Sequence, residues 1–434
     1  MSETLESIAQ NAKLASYSLA SLDTLTKNNA LEAVADKLEQ NKHLILQENA
    51  KDLEAAKTLL ESGEINQSTY NRLKLDENKM RDMIQGIRDV KRLDDPVNKK
   101  LWAMGMDTGL DLYRVSCPIG VIGVIFEARP DVIPQISALA IKSANAVILK
   151  GGKEAYNTNV ILTKLINEAL AQTESFPKDT INLIFSREDV AKMLTMDKYI
   201  DLIIPRGGNA LVQYIKSNTK IPVMGHADGI CHIYIDEFAD VKKATDICID
   251  AKTQYPSACN AVETVLIHES LIKNYLPQLV IEYEKAGVTV KACEKCKEFV
   301  PHVQLATKED WATEYGDKII SIKAVKDIFD AIAHINVYGS GHTDCIISED
   351  KQSIEVFMNL VDSAGVFANA STRFADGFRY GLGAEVGIST AKTHARGPVG
   401  LEGLVIYKYK MYGSGQTVAP YADGKKTFIH QRII

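Results

Sequence analysis

What this 434-residue chain has little of excludes several classes of protein. Seven cysteines, an odd number, stand at 117, 231, 248, 259, 293, 296 and 345. So few, at irregular intervals, make no disulfide scaffold, and thiols kept reduced in a cytosol are the simpler reading. Positive charge is not in excess: 50 Lys and Arg face 56 Asp and Glu, a formal charge of −6. That balance excludes a polybasic nucleic-acid binder. No apolar run approaches the roughly 18 residues needed to cross a bilayer, so no membrane is expected. The first residues, Met1-Ser2-Glu3-Thr4-Leu5-Glu6, are acidic and lack an apolar h-region, so no secretory signal is read and the cytoplasm is the expected location. Proline is missing before Pro96, and only Gly63 and Gly86 interrupt that stretch.

The first hundred residues therefore read as helical. Leu31, Val34, Leu38, Leu44 and Leu46 fall near helical spacing between charged residues. From about residue 119 short apolar runs alternate with amphipathic stretches. Strands are expected at 121–127, 146–149, 180–185, 202–204 and 221–224, with helices at 131–144, 154–172, 188–194 and 210–217. Five strands with intervening helices predict βαβ units and a parallel, doubly wound sheet. A second α/β unit begins near Ile230, with strands at 232–235, 262–267, 319–322, 344–347 and 365–368. Its helices are expected at 240–252, 325–335 and 354–361. The tail at 404–411 alternates like a strand and needs a partner edge, for which another subunit is a candidate.

A parallel sheet suggests a nucleotide, yet no G-x-x-x-x-G-K-[ST] and no strand-following G-x-G-x-x-G is present. The glycines that do follow strands are Gly151-Gly152 and Gly207-Gly208. Each pair precedes a helix, where backbone N–H groups favour an anion, although a plain tight turn explains them equally well. Lys150 and Lys153 bracket the first pair and could meet a phosphate or only solvent. Cys259 lies in the loop Thr253-Gln-Tyr-Pro-Ser-Ala-Cys259-Asn, behind a breaking proline. A loop on a rigid scaffold is where nucleophiles are placed, but free cysteines are more often buried and inert. Cys293-x-x-Cys296 has no second pair, so no local set of metal ligands is read. His334, His342 and Asp344, with Ser340, cluster in sequence; satisfying buried backbone groups is the expected role.

The stretch Val325-Lys-Asp-Ile-Phe-Asp-Ala331-Ile-Ala-His334-Ile-Asn-Val-Tyr338-Gly-Ser-Gly-His342-Thr-Asp344-Cys-Ile346 resembles the signature of the gamma-glutamyl phosphate reductase (glutamate-5-semialdehyde dehydrogenase) family. Ile122-Gly-Val-Ile-Phe-Glu-Ala-Arg-Pro130, Pro205-Arg-Gly-Gly208, Pro256-Ser-Ala-Cys259-Asn-Ala-Val-Glu-Thr264, Gly383-Ala-Glu-Val-Gly-Ile-Ser389 and His394-Ala-Arg-Gly-Pro-Val-Gly400 agree with it. The resemblance runs over nearly the whole chain. It implies the aldehyde dehydrogenase superfamily: an α/β protein with two doubly wound domains and a small β oligomerisation element. The implied boundaries are 1–109 and 125–232 for the cofactor domain, 233–395 for the catalytic domain, and 110–124 with 396–434 for the oligomerisation element.

The implied reaction is NADPH-dependent reduction of L-glutamyl 5-phosphate to L-glutamate 5-semialdehyde with release of phosphate, the second step of L-proline biosynthesis. By analogy Cys259 is the nucleophile and its backbone N–H an oxyanion donor. The superfamily's asparagine donor has no counterpart in Phe126-Glu-Ala-Arg-Pro130. The Glu-Leu-Gly-Gly-Lys stretch of hydrolytic members has none in Met224-Gly-His-Ala-Asp-Gly229, which favours a phosphate-dependent enzyme. Lys150, Gly151, Gly152, Lys153, Gly207, Gly208 and Glu314 are the implied cofactor residues, with Lys153 suited to the 2′-phosphate of NADP. Glu127, Arg129 and Arg373 are candidates for the substrate's ammonium and oxyanions. The implied partners are the small-molecule substrate, further copies of the chain in a homo-oligomer, and transiently a separate glutamate 5-kinase.

Overall fold

The computed structural model describes residues 4–226 and 228–433, which form two units. One runs to Gly207 and adds Tyr214–Met224 and the segment from Gly400; the other comprises Gly208–Gln213 and Gly225–Val399.

The first unit opens with helices α1 (Leu5–Leu19), α2 (Thr24–Gln40), α3 (Lys42–Glu61), α4 (Gln67–Leu73) and α5 (Glu77–Arg92). Thr4, Asp23, Asn66 and Asp76 cap four of them, each side chain accepting from the backbone N–H three residues on. Leu31, Val34 and Leu38 are buried as their spacing requires, but Leu44 is exposed and Ile45 is buried in its place. The chain breaks at Asn41, between α2 and α3, so the helical phase read through 31–46 is not continuous.

Strands β1 (Lys100–Asp107) and β2 (Leu110–Pro118) form an antiparallel hairpin. The tail strand Val405–Tyr412 pairs antiparallel along β2, from Val405 opposite Pro118 to Tyr412 opposite Asp111. Its partner edge therefore lies in this chain, where the sequence had left another subunit as a candidate. The pattern of 404–411 specified a strand but not the sequence-distant hairpin that receives it.

Next come β3 (Val121–Phe126), α6 (Val132–Lys142), β4 (Ala146–Lys150), α7 (Tyr156–Gln172), β5 (Ile181–Ile184), α8 (Arg187–Met193), β6 (Leu202–Arg206) and α9 (Asn209–Asn218). The strands make a parallel sheet in the order β5-β4-β3-β6. β3 is buried throughout, as expected of a strand covered on both faces. The fifth strand expected at 221–224 reduces to a single bridge, Val223 to Ile203.

In the second unit seven strands form one parallel sheet: β7 (Cys231–Ile235), β8 (Val262–His268), β9 (Thr289–Ala292), β10 (Gln304–Leu305), β11 (Ile319–Val325), β12 (Thr343–Ile347) and β13 (Gly365–Ala368). Their order is β10-β9-β11-β8-β7-β12-β13. Helix α10 (Val241–Thr253), capped by Asp240, packs on β8 and leads into the Cys259 loop. β9 and β10, four and two residues long, are too short for a periodic signal and were not expected. Among the described residues no helix is long and apolar enough to cross a membrane.

Candidate active site

In the first unit β4 and β5 extend to one side of β3 and β6 lies on the other, so the strand order reverses at β3. Ligands of open parallel sheets bind outside the carboxyl ends of the strands at such a reversal. Glu127 and Arg129 follow β3, Lys150 closes β4 and leads into Gly151, Gly152 and Lys153, and Gly207 follows β6. The topology thus brings seven of the expected cofactor and substrate residues to one edge. The Glu127 N–H donates to the Arg206 carbonyl at 3.3 Å, tying the β3 and β6 ends together. Between Glu127 and Arg129, Ala128 takes φ +43°, a left-handed conformation rare outside glycine. The Glu154 carboxylate accepts its N–H at 2.7 Å and holds that turn.

At the helix after Gly151-Gly152, where the sequence left an anion and a plain turn equally open, the chain supplies its own carboxylate. The buried Asp52 carboxylate of α3 accepts from the N–H groups of Asn157 and Thr158, at 3.0 and 2.8 Å, in the first turn of α7. The two glycines leave room for neighbouring side chains. A Cβ at Gly151 would stand 2.2 Å from the Asn159 side chain, and one at Gly152 would stand 1.9 Å from the Glu154 carboxylate. On the β4 side of this edge the cations are Lys150 and Lys153, which is exposed.

The second unit gathers its candidates at the opposite edge of its sheet. Gly229 precedes β7, Cys259 precedes β8 and His342 precedes β12. These are three adjacent central strands, so three sequence-distant loops meet at their amino ends. Cys259 is half-buried, and the buried Cys231 thiol donates to its carbonyl at 3.4 Å. Gly229 lies against it so closely that an added Cβ would stand 2.1 Å from the Cys259 carbonyl oxygen. Asn260 donates to the Ala375 carbonyl at 2.9 Å, anchoring the loop to the turn Thr372–Phe374. That commits its side-chain N–H to structure.

The same turn carries Arg373, 8% exposed, whose Nε donates to Gln254 at 2.9 Å and whose guanidinium lies over the Tyr255 ring. Burial, with Arg379 beside it, lowers the Arg373 pKa, and the charges of Cys259 and Asp376 oppose that shift. Arg373 is thus a cation within electrostatic reach of Cys259. Glu314 is half-buried in the loop after Glu309–Ala312. Two residues on, the Gly316 N–H reaches Glu263 Oε1 at 3.4 Å. Glu263, the second residue of β8, is paired with Lys252 of α10 at 2.6 Å, and both side chains are fully buried. Burial raises the Glu263 pKa and lowers that of Lys252, each opposed by the other's charge. The pair spans both ends of the Cys259 loop.

Two further residues at Cys259 were not expected there. His226 and His342 each place a ring nitrogen, with the Cys259 sulfur, in a group whose atoms all lie within 4.8 Å of one another. Burial, with His226 beside it, pushes His342 down to about 3, so its ring is neutral. His342 belongs to the quoted signature, but nothing in the spacing of 226, 259 and 342 announces a cluster. Asp344 does take the structural role: it accepts from the His232 N–H at 2.8 Å and its ring at 2.9 Å. Ser340 accepts from the Ile230 N–H. The Cys296 thiol lowers Cys293 to about 6, although that pair gathers no further ligands among the described residues.

The model of the aldehyde dehydrogenase family matches residues 1–311. The gamma-glutamyl phosphate reductase of Brachyspira hyodysenteriae is 58% identical over 426 residues, 98% of this chain and 99% of that protein. That of Methanococcoides burtonii is 51% identical over 439 residues, 100% of this chain and 98% of the relative. Among solved structures, gamma-glutamyl phosphate reductase from Thermotoga maritima matches with a TM-score of 0.92 at 41% identity, over 95% of this chain and 99% of that one. The chain belongs to the aldehyde dehydrogenase family and, within it, to the gamma-glutamyl phosphate reductases. It is an oxidoreductase of a family that works with a nicotinamide cofactor.

Proposed function

We propose that this protein reduces L-glutamyl 5-phosphate to L-glutamate 5-semialdehyde with release of phosphate, using NADPH and a thioester on Cys259. The observation that carries the reading is the end-to-end identity, 51 to 58%, with proteins named for this reduction. The reaction is the second step of L-proline biosynthesis, and the cytoplasm is its expected place.

The Cys259 thiolate attacks the acyl carbon and phosphate departs. The backbone N–H of Cys259 stabilises the oxyanion that forms at attack and again at reduction. Collapse of the second tetrahedral species frees the aldehyde and restores the thiolate. When bound, NADPH supplies the hydride. Two features support the fit of that cofactor. Lys150 and Lys153 stand at the β4 end as cations suited to phosphate groups. The adjacent carboxylate of Glu154 is turned back to the chain, where it accepts from the Ala128 N–H. Gly151, Gly152, Gly207, Gly208 and Glu314 complete the proposed cofactor set. The stretch from Gly225 to Gly229 supplies no glutamate to activate water beside Cys259. Its Asp228 carboxylate is hydrogen-bonded to Asn209. The lack of that glutamate is in keeping with phosphate as leaving group.

Arg373 is the best-placed candidate for a substrate oxyanion, its Nε fixed by Gln254 and its guanidinium within electrostatic reach of Cys259. Glu127 and Arg129 are proposed for the substrate's other charged groups. Within the same proposal, residues 1–109 and 125–232 serve the cofactor and 233–395 the chemistry, while 110–124 with 396–434 join subunits of a homo-oligomer. A separate glutamate 5-kinase hands over the acyl phosphate, which cyclises if released.

The test runs the reaction backwards: glutamate 5-semialdehyde, NADP⁺ and phosphate are mixed with enzyme and NADPH absorbance is followed. NADPH formation that needs phosphate and disappears in Cys259→Ala is expected. Formation without phosphate would move the protein to the hydrolytic dehydrogenases, and unchanged activity in Cys259→Ala would remove the nucleophile. Arg373→Ala should raise the substrate KM at least tenfold, on the order of one lost charge-assisted contact. An unchanged KM removes that assignment.

A further inference from the structure

We propose that His226, Cys259 and His342 form a three-ligand site for a thiophilic divalent cation of the zinc type, whose occupancy reversibly silences and shields Cys259. Two imidazoles and one thiolate are a donor set that zinc favours over the hard cations. Among the described residues no other group of three such side chains converges.

The arrangement around each ring supports ligation. His226 Nδ1 lies 2.9 Å from the Ile388 carbonyl oxygen. A carbonyl only accepts, so this contact places a proton on Nδ1, the tautomer in which Nε2 is the ligating nitrogen. Zinc-binding histidines are oriented in this way, with the other ring nitrogen donating to a fixed acceptor. His342 is held by its own neighbours. Its Nδ1 lies 2.9 Å from Thr343 Oγ1 and 3.7 Å from the Cys231 sulfur, whereas its Nε2 is buried and has no partner among the described residues. The two rings meet edge to face, with centroids 5.0 Å apart. A buried nitrogen without a partner is an unusual feature in a folded protein, and a ligand would satisfy it.

Zinc at tetrahedral lengths brings sulfur and nitrogen to about 3.5 Å from one another. The group as it stands must contract by up to about 1.3 Å, shared between a rotamer change of the half-buried Cys259 and rotation of the half-buried His226 ring. The fourth position stays open to water or an anion, as at zinc sites with three protein ligands. The step is an exchange without redox change: the Cys259 S–H bond breaks, a sulfur–zinc bond forms and the proton leaves to solvent. A sulfur lone pair shared with zinc attacks neither an acyl phosphate nor an alkylating agent.

This inference rests on geometry and does not require that Cys259 be the nucleophile of the proposed reaction. The test uses the full-length protein, reduced and stripped of metal by a chelator, in buffer free of thiols and phosphate. Co²⁺ is titrated as the spectroscopic probe and displaced with Zn²⁺. One equivalent should produce a near-ultraviolet sulfur-to-cobalt band and the visible bands of four-coordinate cobalt, both abolished by Zn²⁺. Cys259→Ser should lose the sulfur band, and His226→Gln should weaken binding about 100-fold. Zn²⁺ should slow alkylation of Cys259 by iodoacetamide at least tenfold in the wild type and leave the rate in His226→Gln unchanged. Circular dichroism checks that both variants are folded; His226 and Cys259 are half-buried, so neither substitution opens a core cavity. Absence of the sulfur band, affinity unchanged in both variants, or alkylation indifferent to Zn²⁺ would each overturn the proposal.

Discussion

Gly229 shows how much of this site depends on a residue with no side chain. Its Cα stands where a Cβ would press into the Cys259 backbone, 2.5 Å from Cys259 Cα. Gly229→Ala must therefore move one of the two loops. A misplacement of about 1 Å at a reacting group costs on the order of 100-fold in rate. The expected outcome is a kcat about 100-fold lower, with slower alkylation of Cys259 and a protein still folded by circular dichroism. Unchanged alkylation would show that the loops absorb the methyl group without displacing Cys259. At this scale the sequence was partly legible. Pro256 and the break after α10 marked the Cys259 loop because turn chemistry is local. Gly229 and His226 carry no such mark, since their role is to approach a residue some thirty positions further on.

At the scale of elements, the Lys252–Glu263 pair joins the end of α10 to the start of β8 beneath the Cys259 loop. Removing one partner leaves an uncompensated buried charge and costs about 3–5 kcal/mol. Lys252→Met and Glu263→Leu should each be destabilised by about that much, while the double variant should recover most of the loss. Denaturant unfolding of the three variants checks this, and additive losses would show that the two side chains act independently. The sequence suggested α10 and β8 by their periods but offered no sign that their charged residues meet. The same holds for Asp52, which caps α7 from α3 across more than a hundred residues. It also holds for the Val405–Tyr412 strand, whose alternation was plain and whose partner was not.

For the whole molecule, two buried histidines contribute to the response to acid. Burial holds His334 down at about 2 and His342 at about 3, against an ordinary value of about 6.5. Folded values below the unfolded one mean that the unfolded chain binds protons first as pH falls. The stability these rings contribute is thus present above about pH 6.5 and is lost progressively toward about pH 3. Tm should fall across that window, and His342→Gln, which takes up no proton there, should fall less steeply; equal slopes would count against the assignment. By itself the sequence determined the α/β alternation, the helical opening, the Cys259 loop and the family, because periodicity, turn residues and long motifs are local features. Only the tertiary structure decided that Asp52 occupies the helix end where the sequence left an anion or a plain turn open. It alone placed the tail strand on β2. It alone gathered Gly229, Cys259 and His342 at the amino edge of the second sheet, while the first sheet gathers its candidates at the carboxyl edge. Strand order and the close packing of distant backbones decide those meetings, and neither leaves a period in the chain.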